Sequence, residues 1–171
     1  MPELRRDPII GRWVIISIER AKRPRDFKVS HPEKEEDMCP FCEGHEGDTL
    51  PEVFAIRPQG TKKDRPGWKV RVIPSISQRL ELKGRLNRRG VGMYDVMNPV
   101  GVHEIVVESP KHVTDIYQLS EREIQLVIDA GVKRIVELEN DPRLKYCLLF
   151  KNHGIRAGGS KTTRHLRSQI I

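Results

Sequence analysis

The chain has 171 residues, enough for one domain or a piece of a larger one, and 37% hydrophobic content supports a core although only 5% is aromatic. No apolar run approaches the roughly 20 residues of a membrane helix, and no signal peptide opens the sequence, so a soluble, cytoplasmic protein is expected. A net charge of +7 suits phosphate-bearing partners, small or polymeric, and two of the three cysteines form a C-x-x-C pair, which points to a metal or redox site rather than a disulfide framework.

Trp13 to Ile18 predicts a strand after a turn at Gly11. Arg20, Lys22, Arg23 and Arg25 crowd the next positions, and Pro24 ends any regular element. Four such cations are either a solvated face or a set of forked donors to phosphate oxygens. His31 to Asp37 reads as a polar connection. Cys39-Pro40-Phe41-Cys42 follows, with Gly44, His45 and Gly47 close behind. A C-x-x-C turn can supply two tetrahedral zinc ligands from one loop. Redox pairs share the spacing, but no βαβ unit surrounds this one, which favours metal. His45 is a further candidate ligand or a turn residue.

Val53 to Arg57 and Trp68 to Ile73 predict two more strands, and Ser77 to Gly92 reads as a long basic loop. Val102 to Glu108 predicts a strand with His103, Ile105 and Val107 on one side, and His112 lies just beyond it. Ser120 with Glu123 forms a capping box, and Ile124, Val127, Ile128, Gly131, Ile135 and Leu138 recur at helical spacing as a stripe to lie on a sheet. Asn140-Asp141-Pro142 stops that helix. Tyr146 to Phe150 predicts a buried strand, and Asn152 then leads into a loop carrying Gly154, Gly158, Gly159 and Ser160, where backbone N–H groups can approach an anion. His165-x-Arg167-x-Gln169, if extended, places three polar side chains on one face. The sum is an α+β domain with an antiparallel sheet. Cys39, Cys42, His112 and His165, from three separated segments, are the candidate zinc ligands of a closed structural site.

The segments R-D-P-I-I-G-R-W-V-I-I, E-R-A-K-R-P, C-P-F-C-E-G, W-K-V-R-V-I-P, G-V-H-E-I-V-V-E-S-P-K-H and F-K-N-H-G-I-R-A-G-G-S resemble, in order, those of the galactose-1-phosphate uridylyltransferases and their ADP-glucose phosphorylase relatives, in the histidine-triad superfamily. The resemblance implies a half-barrel antiparallel sheet with a long amphipathic helix, in a family usually duplicated within one chain and paired as a homodimer. It puts the zinc ligands on Cys39, Cys42, His112 and His165, and nucleotide contacts on Arg20, Arg23, Asn152, Ser160 and Gln169. Ser75 stands where an asparagine is usual. The expectation is a single N-terminal histidine-triad-like domain over residues 1–171, with the family's second half absent.

The family reaction implied is galactose-metabolic nucleotidyl transfer. A histidine attacks the α-phosphorus of a nucleotide sugar, and a hexose-1-phosphate then takes the nucleotide from it. The family motif is H-x-H-x-Q, whose second histidine is the nucleophile. Registered on Gln169, that position holds Arg167, which offers no lone pair for attack. Counting forward from Ala157 instead puts His165 on the nucleophile position and Thr163 on the zinc position. The first register keeps the strand period and is preferred. Impaired transfer is therefore expected. A non-catalytic, zinc-containing nucleotide-binding module is the alternative. A nucleic-acid binder, suggested by the charge, lacks aromatic stacking platforms or a recognisable motif.

Overall fold

Ser120 caps the helix α1 (Glu121–Glu139): its hydroxyl accepts from the Glu123 N–H while the Glu123 carboxylate accepts from the Ser120 N–H. This is the capping box expected from the sequence. The computed structural model describes residues 2–17, 38–154, 157 and 165–171. Along α1, Ala130 and Leu138 are buried against the sheet, and Leu126 and Val127 pack beside them. No helix among the described residues is long and apolar enough to cross a membrane.

The described strands are β1 (Glu3–Arg6), β2 (Trp13–Ile16), β3 (Phe54–Ile56), β4 (Val70–Pro74), β5 (Arg89–Val91), β6 (Tyr94–Met97), β7 (Glu104–Val107), β8 (Leu149–Phe150) and β9 (Arg167–Ile170). They form two antiparallel sheets, ordered β2-β1-β6-β5 and β3-β4-β7-β9-β8. The α+β class holds. The four-stranded sheet corrects the reading of Ser77 to Gly92 as a loop throughout, because Arg89-Gly90-Val91 pairs with Tyr94 to Val96 as a hairpin. β5 (RGV) is short and basic, so no apolar alternation announces it. The strand predicted as buried at Tyr146 is shorter and largely exposed in the structure, reduced to Leu149 and Phe150, with Tyr146, Leu148 and Leu149 open to solvent.

The five-stranded sheet separates two environments, because successive side chains on a strand point to opposite sides. Val70, Val72, Val106 and Ile170 face α1 and form the main core. Glu104 lies on that side too, and Arg134 of α1 reaches it with Nε and Nη2 at 2.8 and 2.6 Å. Ser168 and Lys151 likewise satisfy the buried carboxylate of Glu108. The opposite side carries a smaller cluster of Trp68, Ile73 and Val107, with Phe41 and Ile105 packed on it. In the register, Ile105 lies opposite Gln169 and Val107 opposite Arg167, so both polar residues share that second side.

Candidate functional site

The loop carrying the C-x-x-C pair is held onto the second side of the sheet by buried polar contacts. Arg71, 2% exposed, points the same way as Ile73 and donates to Glu52 (3.0 Å), Thr49 Oγ1 (2.8 Å) and Asp64 (3.0 Å). Arg57 grips the same Glu52 carboxylate, and the Trp68 indole donates to Glu46 at 2.7 Å. Satisfying every partner of so deeply buried a guanidinium makes this loop a fixed platform. Within it, the Cys42 N–H donates to the Cys39 carbonyl, and the Glu43 N–H reaches Pro110, on the segment that bears His112. His165 arrives from just before β9, where the Leu166 N–H donates to the Val113 carbonyl.

These constraints bring Cys39, Cys42, His112 and His165 together, their ligating atoms all within 4.8 Å of one another. Cys39 Sγ lies 3.6 Å from His165 Nδ1, while Cys42 Sγ is 3.5 Å from His112 Nδ1 and 3.7 Å from His165 Nδ1. Zinc held tetrahedrally at ~2.3 Å from sulfur and ~2.0 Å from nitrogen separates those atoms by about 3.5 Å. The donor set and its spacing therefore fit the ion. His165 Nε2 lies 2.9 Å from the Ser109 carbonyl, which can only accept, so that nitrogen carries the proton and Nδ1 turns its lone pair to the cluster. Burial, opposed by that hydrogen bond, pushes His165 down to about 4 and keeps the ring neutral. Burial, and then the neighbouring Cys39, push the Cys42 thiol up to about 11, a cost that a divalent cation between the sulfurs would remove. His45 stays outside the cluster, with Nδ1 3.1 Å from Asp48.

Beside the cluster, Arg167 lies over the Phe41 ring at 5.0 Å and its Nη1 donates to the His165 carbonyl at 3.4 Å. Gln169, two residues on, faces the same side, with Phe150 of β8 opposite it. Asn152 is exposed two residues beyond Phe150. Arg20, Arg23, Ser160 and Thr163 lie outside the described residues. Two participants escaped the sequence reading. Phe41, between the cysteines, is the ring beneath Arg167. His103 touches Gln169, and only its position on the strand face hinted at that.

A five-stranded antiparallel sheet with one long helix on one side, and a Cys2His2 cluster beside an Arg-x-Gln comb on the other, defines a histidine-triad-like domain. The chain belongs to the family of the galactose-1-phosphate uridylyltransferases and ADP-glucose phosphorylases. Residues 86–171 match the family model described as the N-terminal domain of a domain of unknown function, DUF4931. The chain is 36% identical to an ADP-glucose phosphorylase of Arabidopsis thaliana, over 99% of its own length and 48% of that protein's. It is 30% identical to a galactose-1-phosphate uridylyltransferase of Thermotoga maritima, over 96% of its length and 45% of the relative's. Among solved structures, the Arabidopsis ADP-glucose phosphorylase with bound ADP-glucose superimposes with a TM-score of 0.64 at 34% identity, covering 99% of this chain and 48% of that one. A uridylyltransferase structure superimposes with a TM-score of 0.68 at 28% identity, over 98% and 45% of the two chains. The chain thus spans about half the length of these relatives.

Proposed function

We propose that residues 1–171 form one histidine-triad-like domain that binds nucleotide sugars, corresponding to the N-terminal half of a hexose-1-phosphate nucleotidyltransferase. The observation that carries this reading is the placement of Arg167 and Gln169 on the same side of the sheet as the Cys2His2 cluster. Cys39, Cys42, His112 and His165 would hold zinc, which with four protein ligands supplies a structural cross-link and no open position. The Arg167 guanidinium, already held against Phe41, can fork onto phosphate oxygens. The Gln169 amide, Asn152 and the segment bearing Ser160 would complete the nucleotide contacts, with Arg20 and Arg23 on the phosphates. A hexose-1-phosphate is the second substrate in this reading. Cytoplasmic residence and a homodimer belong to the same proposal.

The chemistry of the two candidate nucleophiles supports binding over transfer. Arg167 has no lone pair to offer phosphorus. His165 has Nδ1 among the metal ligands and Nε2 committed to the Ser109 carbonyl, so neither nitrogen is available for attack. Covalent nucleotidylation of this chain is therefore expected to be very slow.

The test uses ADP-glucose and UDP-glucose labelled in the α-phosphate. The expected result is reversible binding with no acid-labile label on the protein, and label appearing in Arg167→His. Acid-labile label on the unaltered chain would overturn the assignment of Arg167. Absence of any binding would overturn the nucleotide-sugar reading.

A further inference from the structure

His103 is buried, at 5% exposure, directly before β7, and the zinc cluster makes no use of it. It lies on the same side as Gln169, one diagonal step away in the register, since Ile105 is the residue opposite Gln169. Its Nε2 is 3.1 Å from Gln169 Oε1 and its Nδ1 is 3.2 Å from the Ser77 carbonyl. The Ser75 N–H donates to the His103 carbonyl at 2.9 Å. One residue therefore fastens three segments: the turn after β4, the start of β7, and β9.

The Ser77 carbonyl can only accept, so Nδ1 of His103 carries a proton. The other nitrogen is left facing the Gln169 amide, whose oxygen and nitrogen ends are interchangeable by rotation. Whichever end faces His103, a buried imidazole holds it there, because breaking the contact would leave a polar atom unsatisfied. The opposite end of the amide then presents one fixed chemistry to the open side of the sheet. A glutamine on this strand without such a partner would sample several rotamers and lose that entropy on binding.

We propose that His103 is a positioning residue for the nucleotide site, locking the Gln169 amide and tying it to the Ser75–Ser77 turn. The proposal rests on the reading of Gln169 as a nucleotide contact. It acts through Gln169 and needs no contact with ligand. Its ligand class is the nucleotide moiety of a nucleotide sugar, and its effect falls on affinity.

The experiment is a double-mutant cycle on binding of ADP-glucose and UDP-glucose, measured by calorimetry on the zinc-loaded chain. Gln169→Ala is expected to weaken binding on the order of tenfold. His103→Leu should do nearly as much, and the double variant should be no weaker than the Gln169→Ala single, since the two side chains act as one unit. His103→Asn, which keeps a polar group able to pair with the Gln169 amide, should recover part of the loss. A second readout is the side-chain amide proton pair of Gln169 in ¹⁵N-labelled protein. It should be displaced from the free-glutamine position in the parent and return to it in both His103 variants that break the contact. His103→Ala serves as the alternative break if His103→Leu does not fold.

Additive losses, or an amide signal unchanged by removal of His103, would overturn the positioning role. If Gln169→Ala binds as tightly as the parent, the nucleotide role of Gln169 fails instead. The amide signal then still reports on the contact itself, so the two failures are distinguishable.

Discussion

Replacing Arg134 by leucine removes the cation that neutralises a buried carboxylate. Arg134 and Glu104 have side chains 8% and 5% exposed, joined by two parallel charge-assisted hydrogen bonds of 2.6 and 2.8 Å. Glu137, on the next turn, adds a third contact at 2.7 Å but is 56% exposed and contributes little. The Glu104 carboxylate is the main cause that drives Arg134 above its ordinary range. Deleting one partner of a buried pair costs about 3–5 kcal/mol, because the other charge stays in a low-dielectric site. For a chain of this size, each kcal/mol lowers Tm by about 2–4 °C, so the expected fall is roughly 6–20 °C. Urea unfolding followed by Trp68 fluorescence measures the same loss as a lower midpoint at unchanged slope. Arg134→Leu combined with Glu104→Leu should recover most of the stability, since two apolar groups leave no uncompensated charge. A single variant costing under ~1 kcal/mol, or a double variant as unstable as the single, would refute the reasoning.

Four further outcomes are expected. Purified chain should carry one zinc by elemental analysis, and Cys42→Ser should lose it on dialysis and melt at a lower temperature, because four ligands from distant segments form the clasp. Trp68→Phe should cost ~1–3 kcal/mol by denaturant titration, since it strips the 2.7 Å donor from the buried Glu46 carboxylate, and should speed zinc release to a chelator. Ser120→Ala should cost ~1 kcal/mol through the lost helix cap. At the same cap, the Ser120 backbone N–H first, then its hydroxyl, hold the Glu123 carboxyl below its ordinary 4.5. That contribution is fully present above pH 4.5 and fades as pH falls through the lower folded value, so Glu123→Gln should flatten the acid limb of a stability–pH curve.

The helix was legible because its start signal and most of its stripe are local: Ser120 caps, Glu123 answers three residues later, and apolar residues recur each turn, although Ile128 is exposed and Ala130 and Arg134 are buried in its place. The alternation in β9 was equally readable from His165, Arg167 and Gln169. Of the four-stranded sheet only β2 was legible, because Glu3–Arg6 and Arg89–Val91 are short and basic, and their pairing is fixed by partners across the chain. The metal cluster was half legible. C-x-x-C announces itself by spacing, whereas His112 and His165 have no local signature and could be offered only as candidates that the family resemblance then supports, since 70 and 123 residues separate them from Cys42. The link from His103 to Gln169 spans 66 residues and leaves no local trace.

Strand order has a consequence for how the molecule comes into being. β9, the last of the described strands, lies between β7 and β8 and hydrogen-bonds to both. On the ribosome, therefore, β8 has no neighbour to join until Ile170 has emerged, and the first thiolate waits 126 residues for His165. Closing this sheet depends on Arg167–Ile170, far along the chain from the strands it joins. Premature termination before β9 would leave two unpaired edges and a cysteine pair exposed to oxidation, rather than a smaller version of the same domain.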